Sequence, residues 1–387
     1  MSVRRFSRSR VAGALAAAAL AFGLAACGSG SASSSASSSG APGTGGTAIG
    51  FIMVGPKDDY GYNQAVYQGA ESLKSKFPNL EILTAENVPE DDNAARVMEG
   101  MVRKGAKILF ASSYGHLDAA LKVAAAHPDV VVLQQGNFIT TELPKNIGTY
   151  FGTVYEPMYL AGIAAGKATK TNKLGYVYAF PITQSIDNIN AFERGAASVN
   201  PKAQTYAVNT SNWCDPARQA QAADSLLSQG VDVLTQHQDC TATIVKKADA
   251  AGAFTVGYHA DAQTIAPKGW LTGAVWDWTP LYTAMVQKVI DGKFTGSEYN
   301  ANFRVGYKTG DNPFVLAPYG PSVTQATKDE ITKAQTWLKT AEGSPFVGPV
   351  KDQSGSVTVA AGTVPDYATI EKMNYFVEGV VGQLPKS

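Results

Sequence analysis

The chain has no surplus of either charge. Its 387 residues hold 32 Lys and Arg against 32 Asp and Glu. With no basic patch or charge run, an interface to nucleic acid has no electrostatic support. Long apolar stretches are scarce too. Past residue 27 no segment has enough consecutive apolar residues to span a membrane. Catalytic signatures are missing. There is no Gly-x-Ser-x-Gly, no Gly-Lys-Ser/Thr loop, and no Gly-x-Gly-x-x-Gly after the first apolar run. His237-Gln238-Asp239 and His259-Ala260-Asp261 pair imidazoles with carboxylates. No compact ligand spacing accompanies them, so neither a metal nor another cofactor is expected. No internal repeat of about 20 to 50 residues is evident.

Cysteine is the rarest reactive group, with three in all. Cys27 closes an N-terminal segment in which Arg4, Arg5, Arg8 and Arg10 precede the apolar run Val11 to Ala26. That run is too short for a comfortable span and reads as an export signal. Leu24-Ala25-Ala26-Cys27 resembles the bacterial lipobox. The resemblance implies cleavage before Cys27, diacylation of its thiol, and a chain held on the extracytoplasmic face of the cell membrane. Gly28 to Gly46 is almost entirely Ser, Gly and Ala, a flexible tether with nothing to bury. Cys214 and Cys240 remain in the body. Export permits a disulfide between them, and two free buried thiols are the alternative.

From residue 47 onward, apolar runs alternate with amphipathic segments. Strands are expected at Ala48 to Val54, Leu80 to Thr84, Lys107 to Ala111 and Val130 to Gln134, with helices between them from Gln64, Asp92 and Leu117. Asn146 to Phe151 reads as a short edge strand or crossover. The pattern restarts at Lys173 to Tyr178 and continues through Trp270 to Val275. Met158 to Thr169 has a small-residue face suited to close packing. The fold class is therefore α/β, with two doubly wound lobes, a hinge and a central cleft. Residues 47–150 and about 277–320 are assigned to the N-terminal lobe and 151–276 to the C-terminal lobe. Residues 321–387 are expected to pack on the lobes.

In such sheets ligands gather beyond the carboxyl ends of the strands. Tyr60, Tyr62 and Asn63 follow the first strand, and Ser112 and Tyr114 follow the third. Trp213 and Cys214, then Asp239, then His259 and Asp261, and finally Trp276 follow strands of the second lobe. Singly these are ordinary caps, core histidines or packed aromatics. Together they read as one cleft for a planar ligand with polar groups on its rim.

These loops carry a resemblance. Asp59-Tyr60-Gly61-Tyr62-Asn63-Gln64, Tyr159-Leu160-Ala161-Gly162-Ile163-Ala164-Ala165-Gly166, Gln229-Gly230-Val231-Asp232-Val233-Leu234 and Gly257-Tyr258-His259-Ala260-Asp261 resemble the basic membrane protein family. Its members are lipid-anchored substrate-binding proteins of ABC importers. The resemblance runs from about Ala48 to about Asp291. It implies a type I periplasmic-binding fold, an ABC permease as partner, no enzymatic activity, and a purine nucleoside or nucleobase as ligand. It places Tyr62 as a stacking aromatic, Asn63 as a base-binding amide, Trp213 as a second stacking aromatic and Asp261 on ribose hydroxyls. The family's ribose-side lysine is absent from Ala274-Val275-Trp276-Asp277-Trp278. Losing that cation and gaining bulk favours a smaller ligand, adenine first and a nucleoside second. A sensor that reports to a membrane receptor, and a hydrolase using Asp239 or Asp261, are the readings from other classes.

Overall fold

The computed structural model of the protein describes residues 40–136, 139, 142–296 and 304–385. The export segment, Cys27 and the tether as far as residue 39 lie outside the described residues. Short runs of β-branched and aromatic residues become strands wherever both faces are covered. In chain order the first lobe has β1 (Ala48–Ile52), α1 (Tyr62–Lys76), β2 (Glu81–Ala85), α2 (Asp92–Arg103), β3 (Ala106–Ala111), α3 (Leu117–Ala126), β4 (Val131–Gln135) and β5 (Ile147–Gly152). The chain then crosses into α4 (Tyr155–Ala168), β6 (Lys173–Tyr178), α5 (Thr183–Val199), β7 (Gln204–Asn209) and α6 (Pro216–Ser228). It continues through β8 (Val233–His237), α7 (Ala242–Ala250), β9 (Phe254–His259) and β10 (Trp270–Trp276). Helix α8 (Thr279–Ile290) returns to the first lobe and packs on α1. The remainder is β11 (Arg304–Val305), β12 (Phe314–Leu316), α9 (Gln325–Leu338), β13 (Val350–Lys351), β14 (Val357–Val359), α10 (Tyr367–Ile370) and β15 (Val380–Val381).

Two sheets result. The first has six strands in the order β11-β5-β4-β3-β1-β2, the second seven in the order β12-β10-β9-β8-β6-β7-β15. All neighbours are parallel except β12, which runs antiparallel to β10. Inside the first lobe Phe51 and Phe110 stack at 4.3 Å, and Tyr282 of α8 leans on both. In the second lobe α4 and α5 lie backbone to backbone. A Cβ on Gly162 would come within 2.1 Å of the Phe192 carbonyl, so that position admits only glycine. Three crossings join the lobes, at 152–155, 276–279 and 305–314. The first and third are tied by the buried Glu156 carboxylate, which accepts from Thr153 Oγ1, from Tyr307 N at 2.9 Å and from Asn312 Nδ2 at 3.2 Å.

Four expectations are corrected. The stretch 40–46 is not tether. Gly43 is buried and donates its N–H to the Asp129 carbonyl at 2.9 Å, because small residues fit against the floor of the first sheet. Strand β5 is internal, since β11 pairs along its outer side. Part of the stretch 277–320 belongs to the second lobe, because the antiparallel turnback puts Phe314 opposite Trp276. Residues 321–385 dock on the second lobe and reach the third crossing, where Lys308 Nζ donates to the Ala341 carbonyl at 3.1 Å. Arg194 Nη2 donates to the Val347 carbonyl, Asn190 holds Tyr375 and Val377, and β15 extends the sheet beside β7.

Candidate functional site

A cavity of about 370 Å³ lies where the strand ends of the two sheets face each other. Its first-lobe wall starts at the turn after β1. Here Asp59 caps α1. Its Oδ1 accepts from Gly61 N at 2.8 Å and Gln64 N at 3.0 Å, and its Oδ2 from Asn63 N at 3.0 Å and Asn63 Nδ2 at 2.8 Å. Otherwise orphaned N–H groups at the helix start are thereby satisfied. Asn63 is not the cap but part of the first turn. Its Oδ1 accepts from Gly55 N at 3.0 Å, which fixes the amide facing the cavity. Tyr62 is held as firmly. Its hydroxyl donates to the Ser112 carbonyl at 2.6 Å and accepts from Gln135 Nε2, leaving the ring as cavity wall.

The second-lobe wall is a different construction. Cys214 and Cys240 form a disulfide, Cα to Cα 5.1 Å, across the loops after β7 and β8. Beside it the Asp239 N–H donates to the Trp213 carbonyl at 2.9 Å. The bridge and this bond hold the Trp213 ring and the Asp239 carboxylate next to each other on the cavity wall. Trp213 also rests against Phe180 and His237, with ring centroids 5.4 and 5.2 Å away. His237 and His259 end β8 and β9. Burial pushes the His237 imidazole down to about 3 and holds His259 well below the usual range, aided there by His237. Both rings are neutral. Asp239 is pushed well up, by burial first and then by the charges of Asp59 and Glu90.

Contacts on two sides shut the cleft. Thr241 Oγ1 donates to the Tyr60 carbonyl, and Gly61 lies so near the Asp239 carbonyl that an added Cβ would sit 1.6 Å from its oxygen. Gln184 Nε2 reaches the Gly136 carbonyl at 3.3 Å on another side. Strain collects in the same place. Tyr60, Ser211 and His259 adopt φ of 54°, 53° and 67°, unusual for residues with a Cβ.

Of the eight expected binding residues, five line the cavity: Tyr62, Asn63, Tyr114, Trp213 and Asp239. Tyr114 sits at its rim, largely exposed. Three do not line it. Ser112 is buried and spends its hydroxyl on the Ile52 carbonyl at 2.6 Å, while its neighbour Ser113 takes the cavity position. Asp261 is exposed and caps a short turn by accepting from Gln263 N at 2.9 Å. The left-handed turn at His259 carries the chain outward before Asp261 is reached. Trp276 is buried in an aromatic stack with Trp278 at 4.3 Å and Phe314 at 4.2 Å. Phe180, Phe151, Tyr258, His237, His259 and Glu90 also line the cavity. Phe180 was findable, since it follows β6 as Tyr62 follows β1. Glu90 follows β2 in a polar turn, where a lone carboxylate reads as an ordinary solvated residue.

No Lys or Arg lines the cavity, whereas Asp59, Glu90 and Asp239 all do. Such a surface repels phosphates and carboxylates and suits a neutral or cationic ligand rich in N–H donors. Among the described residues no three His, Cys, Asp or Glu are arranged to hold a metal. No described helix is long and apolar enough to cross a membrane.

Residues 47–310 match the model of the Bmp family, described as ABC transporter substrate-binding protein PnrA-like. A purine-binding protein of Brucella abortus is 34% identical over 342 residues, covering 87% of this chain and 94% of its own. A Haloferax volcanii protein, provisionally named an ABC transporter glucose-binding protein, is 31% identical over 336 residues, covering 87% and 80%. A solved ABC transporter solute-binding protein from Conexibacter woesei superposes with a TM-score of 0.63 at 21% identity, over 76% of this chain and 96% of its own. That likeness establishes the architecture as the type I periplasmic-binding fold.

Proposed function

The chain belongs to the Bmp family of PnrA-like ABC transporter substrate-binding proteins, and on that premise we propose that it captures a purine base, adenine first, for import. One observation carries the reading. The aromatic rings of Tyr62 and Trp213 and the Asp239 carboxylate border one cavity that contains no cationic side chain. Aromatic faces stack on a flat heterocycle, at about 0.5–1.5 kcal/mol per ring beyond area burial. Asn63 and Asp239 then read its rim. A ligand without matching donors leaves those groups unpaired in a desolvated site and is rejected. A cavity of about 370 Å³ is at the small end for such sites, which favours a base over a nucleoside. The purine-binding relative supports the same choice.

In this reading the signal segment ends at a diacylated Cys27, and the tether holds the body at the extracytoplasmic face of the cell membrane. The closed lobes present a composite surface to the permease. In this reading the chain carries its ligand without transforming it, as expected of a family of substrate-binding proteins. Native mass spectrometry of the purified protein, followed by denaturation, tests the ligand. Release of adenine, or tighter binding of adenine than of adenosine by calorimetry, is the expected result. Tight adenosine binding with none of adenine would make a nucleoside the ligand. Glucose as the released mass, or as the tight binder, would overturn the purine reading.

A further inference from the structure

Trp276 fails as a cavity residue and yet touches the cavity indirectly. It ends β10, next to β9, in a register that pairs Val275 with His259. Its indole Nε1–H donates to His259 Nδ1 at 2.9 Å, and both side chains are buried. A donor aimed at Nδ1 requires a lone pair there. The single proton of the neutral ring must then sit on Nε2. Nε2 is buried and has no hydrogen-bond partner. Its nearest acidic oxygen, Asp239 Oδ1, is 3.9 Å away, too far to accept. Asp239 accepts no hydrogen bond from any described residue. A donor without an acceptor therefore stands beside an acceptor without a donor, on the wall of one cavity. Leaving both unmade is costly once a ligand has displaced water from the site. The left-handed backbone at His259 is a further cost that the fold accepts at this residue.

Resting on the purine reading above, we infer that Trp276 is a positioning residue that fixes His259 as an Nε2–H donor, so that His259 and Asp239 together read an acceptor-beside-donor edge of the ligand. In adenine that edge is the N7 acceptor with the exocyclic 6-amino donor. Guanine and hypoxanthine offer two acceptors there and leave Asp239 unsatisfied. The stacked ring of Trp278 and the tilted ring of Phe314 pack against the indole and keep its N–H in line. The ring reads the ligand, and the indole sets which nitrogen does the reading.

The test separates this pair from the purine reading. The protein has four histidines, so ¹⁵N-histidine NMR of the ligand-free protein resolves each ring. Wild type is expected to show one buried ring protonated at Nε2 whose Nδ1 accepts a hydrogen bond. Trp276→Phe keeps an aromatic ring in the stack and removes the N–H, and that signature should be lost. In titrations wild type should prefer adenine over 7-deazaadenine, in which a C–H replaces N7, by about tenfold, the value of one hydrogen bond. Trp276→Phe should bring the two affinities together by weakening adenine and leaving the deaza analogue unchanged. If Trp276→Phe does not fold, His259→Asn, which suits the left-handed backbone and lacks the ring donor, decides the same ratio. A signature and a preference both untouched by Trp276→Phe would overturn the inference. Equal wild-type affinity for adenine and the analogue would overturn it while leaving the purine reading intact. Failure of wild type to bind any purine would instead overturn the purine reading, and the ligand-free NMR signature would still decide the Trp276–His259 assignment.

Discussion

Asp59 and Asp239 face the same cavity from opposite lobes, and the chain treats their carboxylates differently. Asp59 accepts four hydrogen bonds from its own turn and helix, and its wall is finished before any ligand arrives. Asp239 accepts none from the described residues, stands beside a buried histidine whose Nε2 has no partner, and is held in position by a disulfide. The first wall is a preformed surface on which a ring can lie. The second is a set of unmade hydrogen bonds that a ligand completes. In the proposed reading, affinity drawn from the first wall tolerates variation among flat ligands, and selectivity arises at the second, where a mismatch leaves a polar group unpaired.

Acid should break the second wall first and gives the largest effect. Burial lowers the His237 imidazole to about 3, so the folded state prefers it neutral. That contribution is intact above the unfolded value near 6.5 and is lost as pH falls towards the folded one. At about 1.4 kcal/mol per unit, some 5 kcal/mol is withdrawn by pH 3. Urea denaturation of wild type and His237→Gln at pH 7 and pH 4 measures it. The variant should lose about 3 kcal/mol less than wild type between those two values.

Opening the bridge comes next. Cys214→Ser with Cys240→Ser releases a loop with a sequence separation of 26. The expected loss is about 3 kcal/mol of stability. Ligand affinity should fall as well, because Trp213 and Asp239 flank the bridge, and calorimetry on the double variant reads that second effect. A smaller change of about 2 kcal/mol sharpens the contrast between the carboxylates. Asp239→Asn removes a carboxylate whose ionised form is disfavoured by burial and by the nearby Asp59 and Glu90, so stability at pH 7 should rise while affinity falls about 10- to 100-fold. Asp59→Asn should do the reverse, lowering stability because an amide cannot accept all the donors that Asp59 now satisfies. Thermal melts and titrations of both variants would refute the distinction if the two behaved alike.

The first wall was more legible in the sequence than the second. Tyr62 and Asn63 follow an unmistakable apolar run, and local hydrogen bonding keeps them where the turn puts them. The second wall depends on where several separate loops end, and there one-residue choices decide. The first wall holds one such choice too, since Ser112 and Ser113 after β3 differ only in which side of the chain they take, and no local pattern selects between them. Asp261 looked equivalent to Asp239 because each lies two residues past a histidine. A left-handed φ at His259 sends it to solvent, and nothing in a β-branched or aromatic run announces that turn. Trp276 was expected on the cavity and does not line it, since its partners Trp278 and Phe314 converge only when β12 folds back on β10. The parallel-sheet alternation could be read because each element is local. The docking of β15 beside β7 could not, because it joins residues more than a hundred apart in the chain.

The smallest predicted effect concerns the aromatic faces themselves. Tyr62 is fixed by two hydrogen bonds through its hydroxyl, whereas Trp213 is only partly buried and leans on Phe180 and His237. A ring supported by packing alone has little to lose within its own lobe when it is removed. Trp213→Ala should therefore leave the urea midpoint of the ligand-free protein nearly unchanged. Its stacking contribution of about 1 kcal/mol should appear as an affinity for adenine weakened by roughly fivefold, and Trp213→Phe should recover most of it. The ratio of adenine to 7-deazaadenine binding should stay at its wild-type value in both variants, because stacking responds to the π-face and not to the edge. An Ala variant that binds as tightly as wild type would take Trp213 out of the site. A changed ratio would mean that stacking and edge reading are not divided between separate groups, and the contrast between the walls would fail at its most exposed residue.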